Sequence, residues 1–524
     1  MKTMIYSLAL AALMSLGSCN DDDPILTQKD WDGTATYFAS TDEQFSTYYR
    51  PYVGYVGDPM PFYDPVEQNF KILYLQEFRP NQEATYHPIW GVSTKDVGSY
   101  QSLGEVIPTG NASEADAAIG TGSTIYNESE KVYYTFYTGH SANLEVVMMA
   151  TSSDFKTWTK SKTFYLQGND YGYSAKDFRD PFVFKGDDGV YHMIVSTMQG
   201  TKGVLAEFVS SDLKSWEHKG VFMSMMWDRF YECPDVFKMG DWWYLVYSEK
   251  HVAIRKVQYF KGHTLEELKA CTANDAGIWP DDHEGLLDSR AFYAGKTASD
   301  GTNRYIWGWC PTREGNNNTS VGAAPNEPQW AGNLVAHRII QHEDGTLSLG
   351  SVEGIDKKYT SKSSLKVMAK SDNGVSENAG NYVLTGNAFV LFNRLNVANK
   401  ISFTVKTTDK TDKFGFSLVC GTDSKKYYSI VVNPEDNGNK KKLNFEEQGE
   451  EGMGFINGID GYLFNTPSDN EYHVTVYTDN SVCVVYINDN VAYTNRIYGT
   501  QKNCWSINCY EGTVEVSNVE VSYY

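Results

Sequence analysis

No two cysteines in this chain stand at CxxC spacing, and the eight that occur, at 19, 233, 271, 310, 420, 483, 504 and 509, are widely scattered. Scatter of this kind argues against a disulfide framework, and the spacing offers no zinc site. Positive charge is scarce as well: 45 Lys and Arg stand against 66 Asp and Glu, a formal net of -21. So acidic a chain is poorly suited to nucleic acid or an anionic membrane face, and a neutral substrate fits it better. Long apolar runs are nearly missing too. The exception, Met4 to Leu16 behind Lys2, is too short to span a bilayer comfortably and reads as a signal peptide.

What is abundant points to β-structure. Aromatic residues make up 14% of the 524 positions, with 37 Tyr and 12 Trp, and 44 Gly supply turns for many short strands. That length predicts two domains. At the N-terminus, Leu16-Gly17-Ser18-Cys19 resembles a bacterial lipobox, and the three Asp residues at 21 to 23 resemble the export tag of Bacteroides-type surface lipoproteins. The resemblance implies a signal peptide over 1–19, a tether over 20–30, and an outer-membrane lipoprotein held in lipid by acylated Cys19 and facing the cell exterior.

A pattern repeats inside the chain. An Asp followed four residues later by an aromatic occurs as Asp96 and Tyr100, Asp154 and Trp158, and Asp212 and Trp216. Strand-like runs recur at a similar pitch, from Phe70, Lys131, Val190, Trp242 and Arg304, which makes five units. In the unit opening at Asp180, turn residues mark off four short strands. Four strands repeated five times predict a five-bladed β-propeller over 31–352. A Lys-, Ser- and Gly-rich stretch from Lys357 to Gly374 follows. Beyond it, runs such as "KISFTVKT", "YHVTVYT" and "SVCVVYIN" predict a β-sandwich over 360–524.

In a propeller the first strand of each blade lines the central channel, so residues at the strand starts converge. "DPMPFYD" from Asp58, "FRDPFVFK" from Phe178 and "YECPDVFK" from Tyr231 share a Pro and Phe spacing, and Asp58, Asp180 and Glu232 sit at or beside those starts. Like charges crowded into one space are costly to keep ionised, and active sites are where that cost is tolerated.

"FRDP" and "YECPD" resemble the RDP and EC signatures of glycoside hydrolase family 32, the invertases, inulinases and levanases. "LYLQ" ending at Gln76, "IWG" around Trp90, "FYTG" ending at Gly139, "RAFYAGKT" around Tyr293 and "WGW" ending at Trp309 follow in the family's order. The resemblance implies Asp58 as nucleophile, Glu232 as general acid and base, and Asp180, with Arg179 beside it, as the transition-state stabiliser. It implies retention of configuration, a neighbouring sugar-binding set of Arg179, Gln76, Trp90, Thr121, Tyr293 and Trp309, and no metal or organic cofactor. The family usually reads Trp-Met-Asn-Asp-Pro-Asn-Gly at its first motif. Here Tyr55-Val56-Gly57-Asp58-Pro59-Met60-Pro61 lacks the Asn at position 57, and Thr121 stands where Ser is common.

Together these features predict a surface enzyme that hydrolyses fructan from within the chain, levan before inulin. An arabinan-type furanosidase of related fold and a catalytically inactive surface glycan-binding protein are the alternatives.

Overall fold

A computed structural model describes residues 45–52, 54–78, 87–141, 143–225, 230–250, 256–271, 285–313, 329–419, 427–434, 440–448 and 462–524. Cys19 and the N-terminal tether lie outside them. The described residues are almost entirely β, with short helices at Leu265–Ala270 and Glu353–Asp356, and none of their helices is long and apolar enough to cross a membrane.

Up to Gly350 the chain runs as consecutive antiparallel meanders. They open with the strands Tyr55–Asp64, Ala118–Asn127, Phe178–Lys185, Tyr231–Met239 and Tyr293–Ser299. Each opening strand packs on the next, and the last returns to the first, so the meanders stand round a common axis as the sheets of a β-propeller. Strand number is less regular than the four per unit expected. The meander from Ala118 carries a short fifth strand, the one from Tyr231 has three strands among the described residues, and the last joins the first through Val56 and Gly332 in one eight-stranded sheet.

The repeated Asp and aromatic mark the turn after the third strand in the first three meanders. Oδ1 of Asp96, Asp154 and Asp212 each accepts two backbone N–H groups: Gly98 and Ser99, Lys156 and Thr157, Lys214 and Ser215. The intervening Val97, Phe155 and Leu213 take left-handed φ of 58°, 59° and 64° and turn their side chains inward, where they are buried. The closing aromatic bonds back to that residue's carbonyl, from Tyr100, Trp158 and Trp216. An Asx-type turn thus explains why this pair of residue types recurs at this spacing.

Beyond Ser361 the strands form an eight-stranded and a seven-stranded sheet, packed face to face over a core that includes Phe403, Phe416, Tyr472 and Trp505. The sandwich is fastened to the propeller by buried polar contacts. Asp479 accepts the backbone N–H groups of Ser46, Thr47 and Tyr48, and fully buried Asp288 accepts the backbone N–H of Thr494 on Oδ1 at 2.8 Å.

Candidate active site

All of the opening strands carry the same irregularity. Their pairing slips between Gly57 and Met60, Gly120 and Gly122, Arg179 and Phe182, Glu232 and Asp235, and Tyr293 and Lys296. A bulge bends the strand and re-aims its side chains. Here it turns two successive residues of each strand toward the hub: Gly57 and Asp58, Gly120 and Thr121, Arg179 and Asp180, Glu232 and Cys233, Tyr293 and Ala294. All of these except Gly57 and Ala294 line one cavity of about 600 Å³. Asp180, Cys233 and Ala294 adopt left-handed φ of 59°, 52° and 55°, a conformation that costs non-glycine residues on the order of 1 kcal/mol and clusters at functional sites.

The three acids are therefore neighbours, and each is held by named donors. Asp58 accepts Trp309 Nε1 on Oδ1 at 2.9 Å and Thr121 Oγ1 on Oδ2 at 2.8 Å. Glu232 accepts Arg179 Nη2 on Oε1 at 3.1 Å and the Tyr293 hydroxyl on Oε2 at 2.8 Å. Asp180 accepts the Cys233 backbone N–H on Oδ2 at 2.9 Å, and its own N–H donates to Thr138 Oγ1 at 2.9 Å.

Burial dominates the electrostatics. It pushes Asp180 up to about 6, helped by the charge on Glu232 and opposed by Arg179 and the Cys233 N–H. It also raises Asp58, against the pull of the Trp309 and Thr121 bonds. Burial works against the Arg179 charge, but Glu232, Glu145 and Asp180 outweigh it and keep the guanidinium protonated. The Cys233 thiol is pushed well above its ordinary range by burial and by the charge on Asp180, which leaves it a poor nucleophile.

Several cavity residues were not legible in the sequence. Glu145 brackets Arg179 Nη1 at 3.0 Å, with Asp177 at 3.1 Å on the same nitrogen and His140 Nδ1 3.3 Å from Glu145. Lys250 stands 3.8 Å from Glu232. The Phe230 ring lies 4.1 Å beneath the Arg179 guanidinium. Trp330 covers Gly57 so closely that a Cβ there would lie 2.2 Å from its ring, and it packs against His87 with ring centroids 4.5 Å apart. Asp177, two residues before "RDP", had a sequence neighbour that could have drawn attention to it.

The sugar-binding set divides. Arg179, Tyr293 and Thr121 line the cavity. Trp309 is fully buried and does not line it, but reaches it through the bond to Asp58 and by packing on Tyr293 at 5.6 Å between ring centroids. Gln76 and Trp90 do not line it. Gln76 is fully buried beneath Gly54, and Trp90 packs edge-on against Phe78. Among the described residues, no group of His, Cys, Asp and Glu is placed to hold a metal ion.

Residues 48–350 match the model of the glycosyl hydrolases family 32 N-terminal domain, and 345–521 match the GH32, BT1760-like, C-terminal domain. The chain belongs to glycosyl hydrolase family 32. Among its relatives in the family, sucrose-6-phosphate hydrolase of Escherichia coli is 23% identical over 473 residues, 86% of this chain and 88% of that protein. An Arabidopsis thaliana relative, "Beta-fructofuranosidase, insoluble isoenzyme CWINV2", is 24% identical over 51% of this chain, and the match spans 49% of its own length. For the Vibrio alginolyticus sucrose-6-phosphate hydrolase, 31% identical, the match spans 33% of this chain and 36% of that protein. Two solved structures share the fold over nearly the whole chain. The β-fructofuranosidase of Aspergillus kawachii has a TM-score of 0.70 at 15% identity, covering 97% of this chain and 98% of its own. The exo-inulinase of Aspergillus awamori has 0.69 at 14%, covering 92% and 98%.

Proposed function

We propose that this protein is a retaining β-fructofuranosidase that cuts fructan from within the chain, levan first and inulin second. The observation that carries the reading is the meeting of Asp58, Asp180 and Glu232 in one cavity, each acid oriented by its own donors. In this reading Glu232 protonates the glycosidic oxygen as Asp58 attacks the anomeric carbon, giving a covalent fructosyl-enzyme. Glu232 then takes a proton from water, which attacks the same carbon, so configuration is retained. Asp58 has a hydrogen bond on each oxygen, which fixes its plane before attack and removes the cost of orienting it. Asp180 grips the sugar hydroxyls, and its negative charge favours the oxocarbenium-like transition state. Protonated Arg179 bridges Glu232 and Glu145, which restrains the acid at its station.

Fructan as substrate is supported by the open cavity, by the neutral-substrate character of an acidic chain, and by a Beta vulgaris relative named fructan 6-exohydrolase, 28% identical over 188 residues. Placement at the outer surface through lipidated Cys19 is supported by the Leu16 to Cys19 and Asp21 to Asp23 sequences. A tethered enzyme outside the cell gains most from polymers too large to import.

Incubation with levan, inulin, sucrose and arabinan, with products separated on a thin-layer plate, tests all of this. A ladder of fructo-oligosaccharides from levan is expected. Fructose alone as the first product would remove endo action. Arabinose products, or none from any substrate, would remove the fructanase reading.

A further inference from the structure

We infer that Arg496, which belongs to the sandwich and not to the propeller, is a positioning residue for the nucleophile. It acts by holding the backbone that carries Trp309 and Trp330. The inference rests on the assignment of Asp58 as nucleophile.

Arg496 ends the strand Val491–Arg496 and is 2% exposed. Its guanidinium crosses the domain boundary. Nε donates to the Pro311 carbonyl at 2.9 Å, and Nη2 donates to the Cys310 carbonyl at 2.9 Å and to Asn333 Oδ1 at 2.6 Å. On its own side, Nη1 donates to Ser481 Oγ at 2.9 Å. One planar fork therefore spans the end of the strand Arg304–Pro311 and the start of the strand Gly332–Gln341, where Cys310 pairs with Asn333 and Pro311 with Gly332. Gly332 has no alternative, because a Cβ there would lie 1.7 Å from the Cys310 oxygen. A lysine could not reproduce the fork, since its charge is a single point.

Both strand ends lead straight to the site. Trp309, one residue before Cys310, supplies the bond to Asp58 Oδ1. Trp330, two residues before Gly332, lies over Gly57, packs on Trp309 at 6.2 Å between ring centroids and lines the cavity. The sandwich reinforces the same segment elsewhere: the Tyr498 hydroxyl accepts the Arg313 N–H at 3.1 Å, and Arg313 Nη1 donates to the Tyr428 hydroxyl at 3.3 Å. Hydrogen bonds from a charged donor are about twice as strong as neutral ones. Their loss at the strand ends relaxes the indole that fixes Asp58.

The consequence is specific. The Trp309 bond is one of the contacts that pull Asp58 down against burial. Loosening it raises Asp58 further, where the charge on Glu232 already raises it and His87 lowers it, so the Asp58 step of the kcat/KM acid limb moves to higher pH while the separate Asp180 step stays in place. A contact that only held two domains together would leave that limb in place.

The test compares wild type, Arg496→Lys, Trp309→Phe and the double variant, using turnover of levan and of sucrose against pH, with thermal unfolding measured alongside. Arg496→Lys is expected to lower kcat about tenfold, more than it changes KM, and to move the acid limb upward. Trp309→Phe is expected to move the same limb, and the double variant no further than the larger single effect. Wild-type kcat and pH profile in Arg496→Lys, whether or not its melting temperature falls, would overturn the inference. Were Arg496→Lys insoluble, Ser481→Ala, which frees Nη1 without touching the propeller, is read in the same way, with a smaller shift expected. Absence of wild-type turnover would count against the proposed reaction. A crystal structure of either variant then decides the present point without turnover. Trp309 Nε1 out of hydrogen-bond reach of Asp58 supports it, and an unmoved Trp309 and Trp330 overturn it.

Discussion

The backbone N–H of Cys233 donates to Oδ2 of Asp180 at 2.9 Å, joining two neighbouring hub strands at residues that both hold left-handed φ. The main chain of Cys233 therefore serves the site, while its thiol is buried and held in the neutral form. Cys233→Ala is expected to keep kcat within about threefold, a change under 1 kcal/mol. Cys233→Pro, which removes the N–H and demands negative φ, is expected to abolish activity. Steady-state rates on sucrose check both, and inactivation of the folded wild type by iodoacetamide would contradict the inert thiol.

Glu232 carries both proton transfers in the proposed reaction. Glu232→Gln keeps the shape and an acceptor for Arg179 but cannot donate or accept the proton. Its kcat is expected to fall by about 10²- to 10⁴-fold with the circular dichroism spectrum unchanged. Full activity in that variant would remove the assignment.

Asp180 links stability to pH. Its pKa of about 6 in the folded protein lies above the ordinary 3.8, so between those values the native state binds more protons than the unfolded chain. Stability on this account falls as pH rises through that window, by at most about 3 kcal/mol, and the loss is complete above it. Asp180→Asn keeps an oxygen for the Cys233 N–H and removes the buried charge. It should gain in urea midpoint over wild type at pH 7, gain much less at pH 4, and lose catalysis. An equal gap at both pH values would show that the charge is not its source.

Gly57 is sealed by Trp330. Gly57→Asn, the residue usual in the family, is expected to lower both activity and melting temperature, because side chain and indole claim the same space. Pairing it with Trp330→Ala should restore part of the melting temperature. A stable, active Gly57→Asn single variant would contradict the overlap.

Much of this was legible in residues whose chemistry is local. The turn chemistry of Asp96, Asp154 and Asp212 announced the repeat, and the Pro-framed strand starts announced the three acids. The bulge was not announced. When Pro181 is laid on Pro234, Asp180 falls on Cys233 and Arg179 on Glu232, so the acids do not share one frame position. Because the bulge turns two successive residues inward, both positions reach the same cavity. Trp90 and Trp309 show the other limit. A Trp reads alike whether it faces a sugar, packs on Phe78 or bonds a carboxylate, and only the path of distant strands decides among them. Glu145 and Trp330 escaped for the same reason, since their roles are set by Arg179 and Gly57 far away in sequence.

The seam between Val56 and Gly332 sets a timetable for the newly made chain. Asp58 and Trp309 are 251 residues apart in sequence, so the nucleophile cannot find its indole partner until the last meander has left the ribosome and the ring shuts. Contacts of such long range form late and slowly. Under the proposed reaction, an incomplete chain that already contains all three acids still lacks the Trp309 bond to Asp58, so catalytic competence is expected among the final events of folding.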